Sequence, residues 1–393
     1  MYNIPNIRRL QIELTTRCNA SCPACSRNLS GGPVVPGLEL LELTLTDIKQ
    51  MFPTEILKNL CSVNYCGNLG DPGLVKDIIG ILEYFKENSN QNLIQYIRTN
   101  GGMRGPEHWA ELAKFFQDKP KVNSEGELHI FSKSAMVFSV DGLKDTNHIY
   151  RRGVMWDKVI ANMTAFSEAG GYGVWEWLIF GHNEHQLDEA RELADKLGFH
   201  FVVKTPVGFG ETDGLVRPLR AYTKEGNYDY SIWPAGFTGE KIDEARFKDS
   251  KLMYAPPGGA VLKDYSSTLA KESTIKCKSI ENEKDQEIFV TASGHILPCC
   301  YLGAAFGQQD TSYSRVQFNQ MIKNTGLDHF DLRKHSLLDI LNGNTFGKFF
   351  TDSWASPSVE KGKMLFCVEV CGEKSAIDRI YAPGAKIIPI QSL

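Results

Sequence analysis

The chain has 393 residues, of which 42% are hydrophobic and 23% charged, and carries a net charge of −4. These values exclude disordered and fibrous classes, and the length allows roughly two or three domains, or one barrel with an appendage. The slightly acidic balance gives no basic footprint for nucleic acid or for an acidic membrane.

No stretch reaches the roughly 18 apolar residues of a membrane helix, and the N-terminus, Met1-Tyr-Asn-Ile-Pro, lacks the apolar centre of a signal peptide. The expectation is a soluble, cytoplasmic protein. In that reducing setting ten cysteines point to metal or redox chemistry more than to disulfides.

The first half alternates strand and helix patterns, as a parallel α/β architecture does. Residues 9–14 read as a first strand, 46–60 as a helix weakened by Pro53, and 63–66 as a second strand. Residues 72–86 carry Leu74, Val75, Ile78, Ile79, Leu82 and Phe85 at helical spacing, with Asp71 and Pro72 at N-cap and first-turn positions. Strands are expected at 93–98, 135–140, 174–180 and 199–203, with helices at 107–116, 157–168 and 184–197 between them. Six βα units are fewer than the eight of a closed barrel. The count fits a partial (β/α)6 barrel, and a doubly wound sheet fits the pattern almost as well.

Residues 205–275 are rich in Gly, Pro and Tyr with poor helical periodicity and read as a connecting segment. A third region, 276–393, opens with two alternating stretches, 287–292 and 295–300, joined by a Ser293-Gly294 turn. Residues 336–354 read as helical. The expected division is therefore a core at 1–204, a connector at 205–275 and a small α+β domain at 276–393.

Eight of the ten cysteines fall into two groups. Cys18, Cys22 and Cys25 form a C-x3-C-x2-C triad just after the first strand. Strand ends of this polarity carry the chemistry of parallel α/β proteins. Three thiolates so close in sequence can wrap one metal centre. A cubane iron–sulfur cluster takes four cysteines, so three leave one iron open; a zinc site completed by a distant ligand, or plain buried cysteines, also fit. Cys277, Cys299, Cys300, Cys367 and Cys371 make the second group. Cys61 and Cys66 read as buried small hydrophobes.

The segment Leu14-Thr15-Thr16-Arg17-Cys18-Asn19 through Cys22-Pro23-Ala24-Cys25 resembles the radical S-adenosylmethionine (radical SAM) superfamily. The resemblance covers roughly residues 8–204. It implies a [4Fe–4S] cluster on Cys18, Cys22 and Cys25 whose open iron chelates SAM, reductive cleavage of SAM to a 5′-deoxyadenosyl radical, and hydrogen abstraction from a substrate. It also implies a flavodoxin or ferredoxin-type reductant, and a peptide or small-molecule substrate. Because Cys18 lies near the start of the sequence, a preceding peptide-recognition module is not expected.

The same resemblance implies SAM contacts at strand ends. Gly67, Asn68, Gly70 and Asp71 occupy the place of the family's Gly-Gly-Glu segment, although Asp71 with Pro72 can equally start a helix. Thr99 and Asn100 follow the third strand, where Asn-Gly is also a common turn. Ser139 and Asp141 lie where the family places polar groups against the ribose. Arg151 is expected at the SAM carboxylate, and Asn183 near the adenosyl group or as an ordinary N-cap.

Downstream, Cys277, then Gly294-x4-Cys299, then Cys367-x3-Cys371 resemble the SPASM/Twitch extension, with five cysteines suiting the shorter Twitch form. That implies an auxiliary [4Fe–4S] cluster on Cys277, Cys299, Cys367 and Cys371; a structural zinc is the alternative. Strand alternation is expected to face Cys299 to the metal and to pack Cys300 on the apolar side. The rival functions are a two-cluster electron-transfer protein and a zinc-stapled interaction protein.

Overall fold

In the computed structural model the described residues are 2–119, 132–206, 208–212, 215–239, 271, 273–307 and 313–373. Much of the expected connector, and the chain beyond residue 373, lie outside them. The strands are β1 (Ile7–Glu13), β2 (Ser62–Cys66), β3 (Ile94–Thr99), β4 (Ala135–Ser139), β5 (Gly173–Leu178), β6 (His200–Lys204), β7 (Gly210–Thr212), β8 (Leu215–Arg217), β9 (Leu219–Tyr222), β10 (Tyr228–Ile232), β11 (Gln286–Val290) and β12 (Ile296–Leu297).

Eight of them form one sheet in the order β12-β11-β1-β2-β3-β4-β5-β6. Every neighbouring pair from β11 to β6 is parallel, and only β12 is antiparallel. A doubly wound sheet reverses its strand order at a switch point. Here β1 to β6 follow one another without reversal, which is the order of an open barrel. The six expected βα strands are all present.

The 287–300 hairpin lies on this sheet: β11 pairs with β1 through Leu10 opposite Ile288 and Ile12 opposite Val290. Its turn is where glycine is required, since Gly294 has a φ of +81°.

The helices α1 (Leu45–Met51), α2 (Thr54–Leu57), α3 (Ile78–Asn88), α4 (Pro106–Leu112), α5 (Asn147–Tyr150), α6 (Trp156–Glu168) and α7 (Leu187–Lys196) connect the strands. Three expectations need correction. The helix expected over 46–60 is two short ones, because Pro53 cannot donate the hydrogen bond that would join them. The helix expected from Pro72 begins only at Ile78; Pro72–Leu74 is a separate 3-10 turn capped by Asp71. The 336–354 helix is broken at Gly343 into Leu337–Asn342 and Asn344–Ala355.

The barrel's outer core is made where these helices press on the sheet. α3 buries Ile78, Ile81, Leu82 and Phe85, and α6 buries Val159, Met163 and Phe166. Phe138 of β4 stacks on Phe199 at a centroid distance of 5.5 Å and meets Phe166 edge-on at 5.6 Å. This packing leaves the C-terminal strand ends free to carry loops. Among the described residues no helix is long and apolar enough to cross a membrane.

Candidate functional site

Those loops enclose a cavity of about 480 Å³. Cys18, Cys22 and Cys25 line one wall of it, so the triad converges in space as well as in sequence. Its loop is fixed by backbone bonds: the Cys25 N–H donates to the Cys22 carbonyl at 3.0 Å, and the Ser21 N–H to the Arg152 carbonyl at 2.9 Å. Each sulfur has a polar neighbour. The Asn100 side-chain amide lies 3.7 Å from Cys18 Sγ, the Arg151 guanidinium 3.8 Å from Cys22 Sγ, and the Asn68 carbonyl 3.8 Å from Cys25 Sγ.

Burial pushes the Cys18 thiol up to about 12, helped by the charge of Asp71. Burial likewise raises Cys25 to about 11. Cys22 is raised too, by burial that outweighs the opposing charge of Arg151.

The Gly67–Asp71 loop lines the same cavity directly beside the triad, its Asp71 N–H donating to the Arg17 carbonyl at 2.8 Å. It is held by a residue that the sequence did not single out. Glu13, at the end of β1, accepts the N–H groups of Asn68 at 3.1 Å and of Leu69 and Gly70 at 2.8 Å each. Burial raises Glu13 to about 8 despite these three bonds. Only the position of Glu13 at a strand end signalled it. Gly70 is required by close approach: a Cβ there would sit 1.9 Å from the Thr15 carbonyl oxygen.

Asp71 lines the cavity, but its carboxylate is engaged within the fold. It accepts the Asn100 N–H at 2.8 Å and the Gly73 N–H at 3.0 Å. Thr99, Asn100, Ser139 and Arg151 also line the cavity.

Asp141 and Asn183 do not. Asp141 is fully buried behind Arg151, pairing with its Nε at 2.5 Å. Burial alone would lower the Arg151 guanidinium; Asp141 and Cys22 outweigh it and leave the group raised. Asn183 spends its side chain on the loop after β5, accepting the Phe180 N–H at 2.7 Å and donating to the Asp141 and Leu178 carbonyls. It makes no side-chain cap to the following 3-10 turn either. Its neighbours Gly181, His182 and Glu184 line a second cavity, of about 580 Å³, with Trp233 and Phe237. Burial holds His182 down to about 4, and so neutral.

Cys277, Cys299, Cys367 and Cys371 surround a separate apolar site with Trp354 and Phe366. Strand alternation does not separate Cys299 from Cys300 as expected, because β12 ends at Leu297 and Cys299 is the N-cap residue of a helix, Cys300–Ala305. Cys299 nonetheless joins the C-terminal set, while Cys300 turns to the main cavity, not to an apolar side. Cys66 is buried in the hydrophobic core, as expected, and also borders this cavity, 3.9 Å from Glu13 Oε2.

Among the described residues no group of three or more His, Cys, Asp or Glu side chains is drawn together tightly enough to hold a single metal ion. A cubane asks something different of its ligands, because each thiolate meets a different iron and the sulfurs stand apart. Three converging thiols beside an open cavity fit such a cluster. The C-terminal set offers four thiol donors in an apolar surround, the ligand count of a complete cubane.

No family model matches the sequence, and no curated protein matches it. Solved structures to which this chain is similar include Streptococcus suis SuiB bound to S-adenosylmethionine, at 17% identity and a TM-score of 0.44, covering 76% of this chain and 61% of that one. Native anSMEcpe with bound AdoMet and Cp18Cys peptide is similar at 13% identity and a TM-score of 0.43, covering 90% and 87%. The radical S-adenosylmethionine methyltransferase TsrM from Kitasatospora setae, with tryptophan and a SAM analogue bound, is similar at 10% identity and a TM-score of 0.35, covering 59% and 49%. The chain thus spans about three-fifths of the length of SuiB and about half that of TsrM.

Proposed function

We propose that this chain is a radical SAM enzyme: it cleaves S-adenosylmethionine reductively and abstracts hydrogen from a peptide or small-molecule substrate. The observation that carries the reading is the convergence of Cys18, Cys22 and Cys25 on one cavity that the Gly67–Asp71 loop and Arg151 also line. When bound, the cluster and SAM together supply a one-electron reduction that breaks a C–S bond and generates the hydrogen-abstracting species.

The chain's own groups hold and orient. Cys18, Cys22 and Cys25 would ligate the cluster. Arg151, kept charged and aimed by Asp141, would meet the SAM carboxylate with a charge-assisted bond. The carbonyls of the Gly67–Gly70 loop, fixed by Glu13, would accept from the SAM amino group. Thr99, Asn100 and Ser139 supply further polar contacts at the strand ends. Asp141 and Asn183 act behind this wall as positioning residues.

In this reading Cys277, Cys299, Cys367 and Cys371 hold an auxiliary [4Fe–4S] cluster, the electron comes from a flavodoxin or ferredoxin-type protein, and the described residues between 276 and 373 belong to a Twitch-like extension. The test is chromatography of a dithionite-reduced, iron-reconstituted sample with SAM. 5′-Deoxyadenosine and methionine are expected from the native sequence and not from a variant with Cys18, Cys22 and Cys25 all replaced by Ala. Equal product from both would overturn the reading.

A further inference from the structure

The side-chain amide of Asn100 is held in one orientation, and that orientation meets a cysteine of the triad. Asn100 is almost fully buried. Its Oδ1 accepts the Gly102 N–H at 2.9 Å, so Nδ2 is the end left to donate. Nδ2 lies 2.9 Å from Asn19 Oδ1 and 3.7 Å from Cys18 Sγ. Asn19 is oriented in turn, because its own Nδ2 donates to the Gly102 carbonyl at 3.3 Å. The bonds close a ring through Gly102, Asn100 and Asn19. The two hydrogens of Asn100 Nδ2 then have one acceptor each, Asn19 and the sulfur. A side chain at position 102 would crowd the ring, since a Cβ there would lie 3.0 Å from Asn100 Oδ1 and 3.1 Å from Asn19 Nδ2.

The turn that carries Asn100 is held by other bonds. The Asn100 backbone N–H donates to Asp71 at 2.8 Å, and the Gly101 N–H to Thr99 Oγ1 at 3.0 Å. Asn162, buried on α6, donates to the Gly101 and Met103 carbonyls at 2.7 and 2.9 Å. None of these bonds uses the Asn100 side chain. That side chain adds a fixed N–H beside a sulfur. The Ala20 N–H, at 3.4 Å, is a second donor to Cys18 Sγ. Cys25 Sγ takes the Arg27 backbone N–H at 3.5 Å, and Cys22 Sγ has the Arg151 guanidinium.

Hydrogen bonds to the sulfurs are one lever on the potential of an iron–sulfur cluster, as outer partners tune metal ligands generally. A reduced cluster carries one more negative charge than an oxidised one. An N–H aimed at a ligand sulfur is therefore stronger after reduction and favours it. We infer that Asn100, locked by Asn19 and Gly102, is a positioning residue of the Cys18 ligand, and that its N–H makes the triad's cluster easier to reduce. The inference rests on the proposed [4Fe–4S] cluster at Cys18, Cys22 and Cys25.

The test is a redox titration of the full chain after anaerobic reconstitution, followed by electron paramagnetic resonance. No SAM is added, so a contact between Asn100 and SAM does not enter. Iron per chain is counted first. The triad's signal is the one missing from the variant with Cys18, Cys22 and Cys25 all replaced by Ala.

Asn100→Leu keeps the bulk and removes the donor. It should retain the iron and shift the one-electron equilibrium about tenfold towards the oxidised cluster, a fall of about 59 mV in potential. Asn19→Ala leaves Asn100 in place but frees its amide to turn, so a smaller fall in the same direction is expected. That variant serves as the test should Asn100→Leu fail to fold. An equal potential in the native protein and in the variants that fold would overturn the inference and leave the ring as a structural tie. A native triad that takes up no iron would overturn the proposed function, and this inference with it.

Discussion

Asn68 is bonded to Cys300: its side-chain amide donates to the Cys300 carbonyl at 2.9 Å, while the Asn68 backbone carbonyl lies 3.8 Å from Cys25 Sγ. One residue thus touches the N-terminal triad and the start of the helix whose N-cap is Cys299. The two cysteine groups are joined through it, although 274 positions separate Cys25 from Cys299.

Replacing Asn68 by Ala removes the side-chain bond and leaves the carbonyl in place. A hydrogen bond of this kind contributes about 1 kcal/mol net. Amide hydrogen exchange should rise at residues 300–305 as well as at 67–70. Faster exchange confined to 67–70 would show that the bridge does not couple the two segments.

Glu13 gives the fold a pH dependence. Its carboxyl is raised from about 4.5 in the unfolded chain to about 8 in the folded one, because burial outweighs its three amide bonds. The folded state therefore binds the proton more tightly. The contribution is fully present below about 4.5, declines as pH rises, and is lost by about 8. Within that window the slope is at most about 1.4 kcal/mol per pH unit. Glu13→Gln keeps the shape and cannot ionise, so denaturant midpoints of native and variant protein should converge at acid pH and separate towards pH 8. Parallel curves would contradict this.

The triad was legible because its three residues lie within eight positions and face one loop. The order of the sheet was half legible: six strands could be counted, but periodicity cannot say whether they run in sequence or reverse. Glu13 was not legible, since one acid at the end of an apolar strand has no motif until the loop it holds is seen. Asp141 and Asn183 lie at strand ends, yet a strand-end polar residue can face a ligand or the protein behind it: Asp141 turns to Arg151 and to the Leu178 N–H at the end of β5, and Asn183 to the loop that follows. The Cys299–Cys300 pair was separated by strand alternation, while the structure separates it at a helix start.

Asp141 and Arg151 make a further prediction. Asp141→Asn leaves a buried guanidinium without its counter-charge, which costs about 3 kcal/mol. SAM affinity should fall, because the aim of Arg151 is lost, while iron content after reconstitution stays the same. Unchanged affinity would assign Arg151 to the fold alone.

The two loop glycines should differ. A Cβ at Gly70 meets the rigid Thr15 backbone at 1.9 Å, whereas one at Gly67 meets the Gly70 carbonyl of its own loop at 2.8 Å. Gly70→Ala should cost about 3 kcal/mol by overpacking and Gly67→Ala about 1 kcal/mol. Thermal denaturation ranks them. The reverse order would mean that the Thr15 strand end gives way more readily than the loop.

The C-terminal set permits the most demanding test. Cys277, Cys299, Cys367 and Cys371 share one apolar site, and burial raises all of the first three, Cys277 to about 11. Thiols so held do not ionise at neutral pH by themselves, so a metal must displace the protons, and loading should be faster at alkaline pH. A variant with Cys18, Cys22 and Cys25 replaced by Ala isolates this site. After anaerobic reconstitution it should hold about four irons per chain, one cubane's worth. Cys300→Ala, in the other cavity, should leave that number unchanged, and Cys367→Ala with Cys371→Ala should bring it to zero. A triple variant that takes up zinc and no iron would make the set a structural staple, and one that takes up neither would leave four cysteines packed as core.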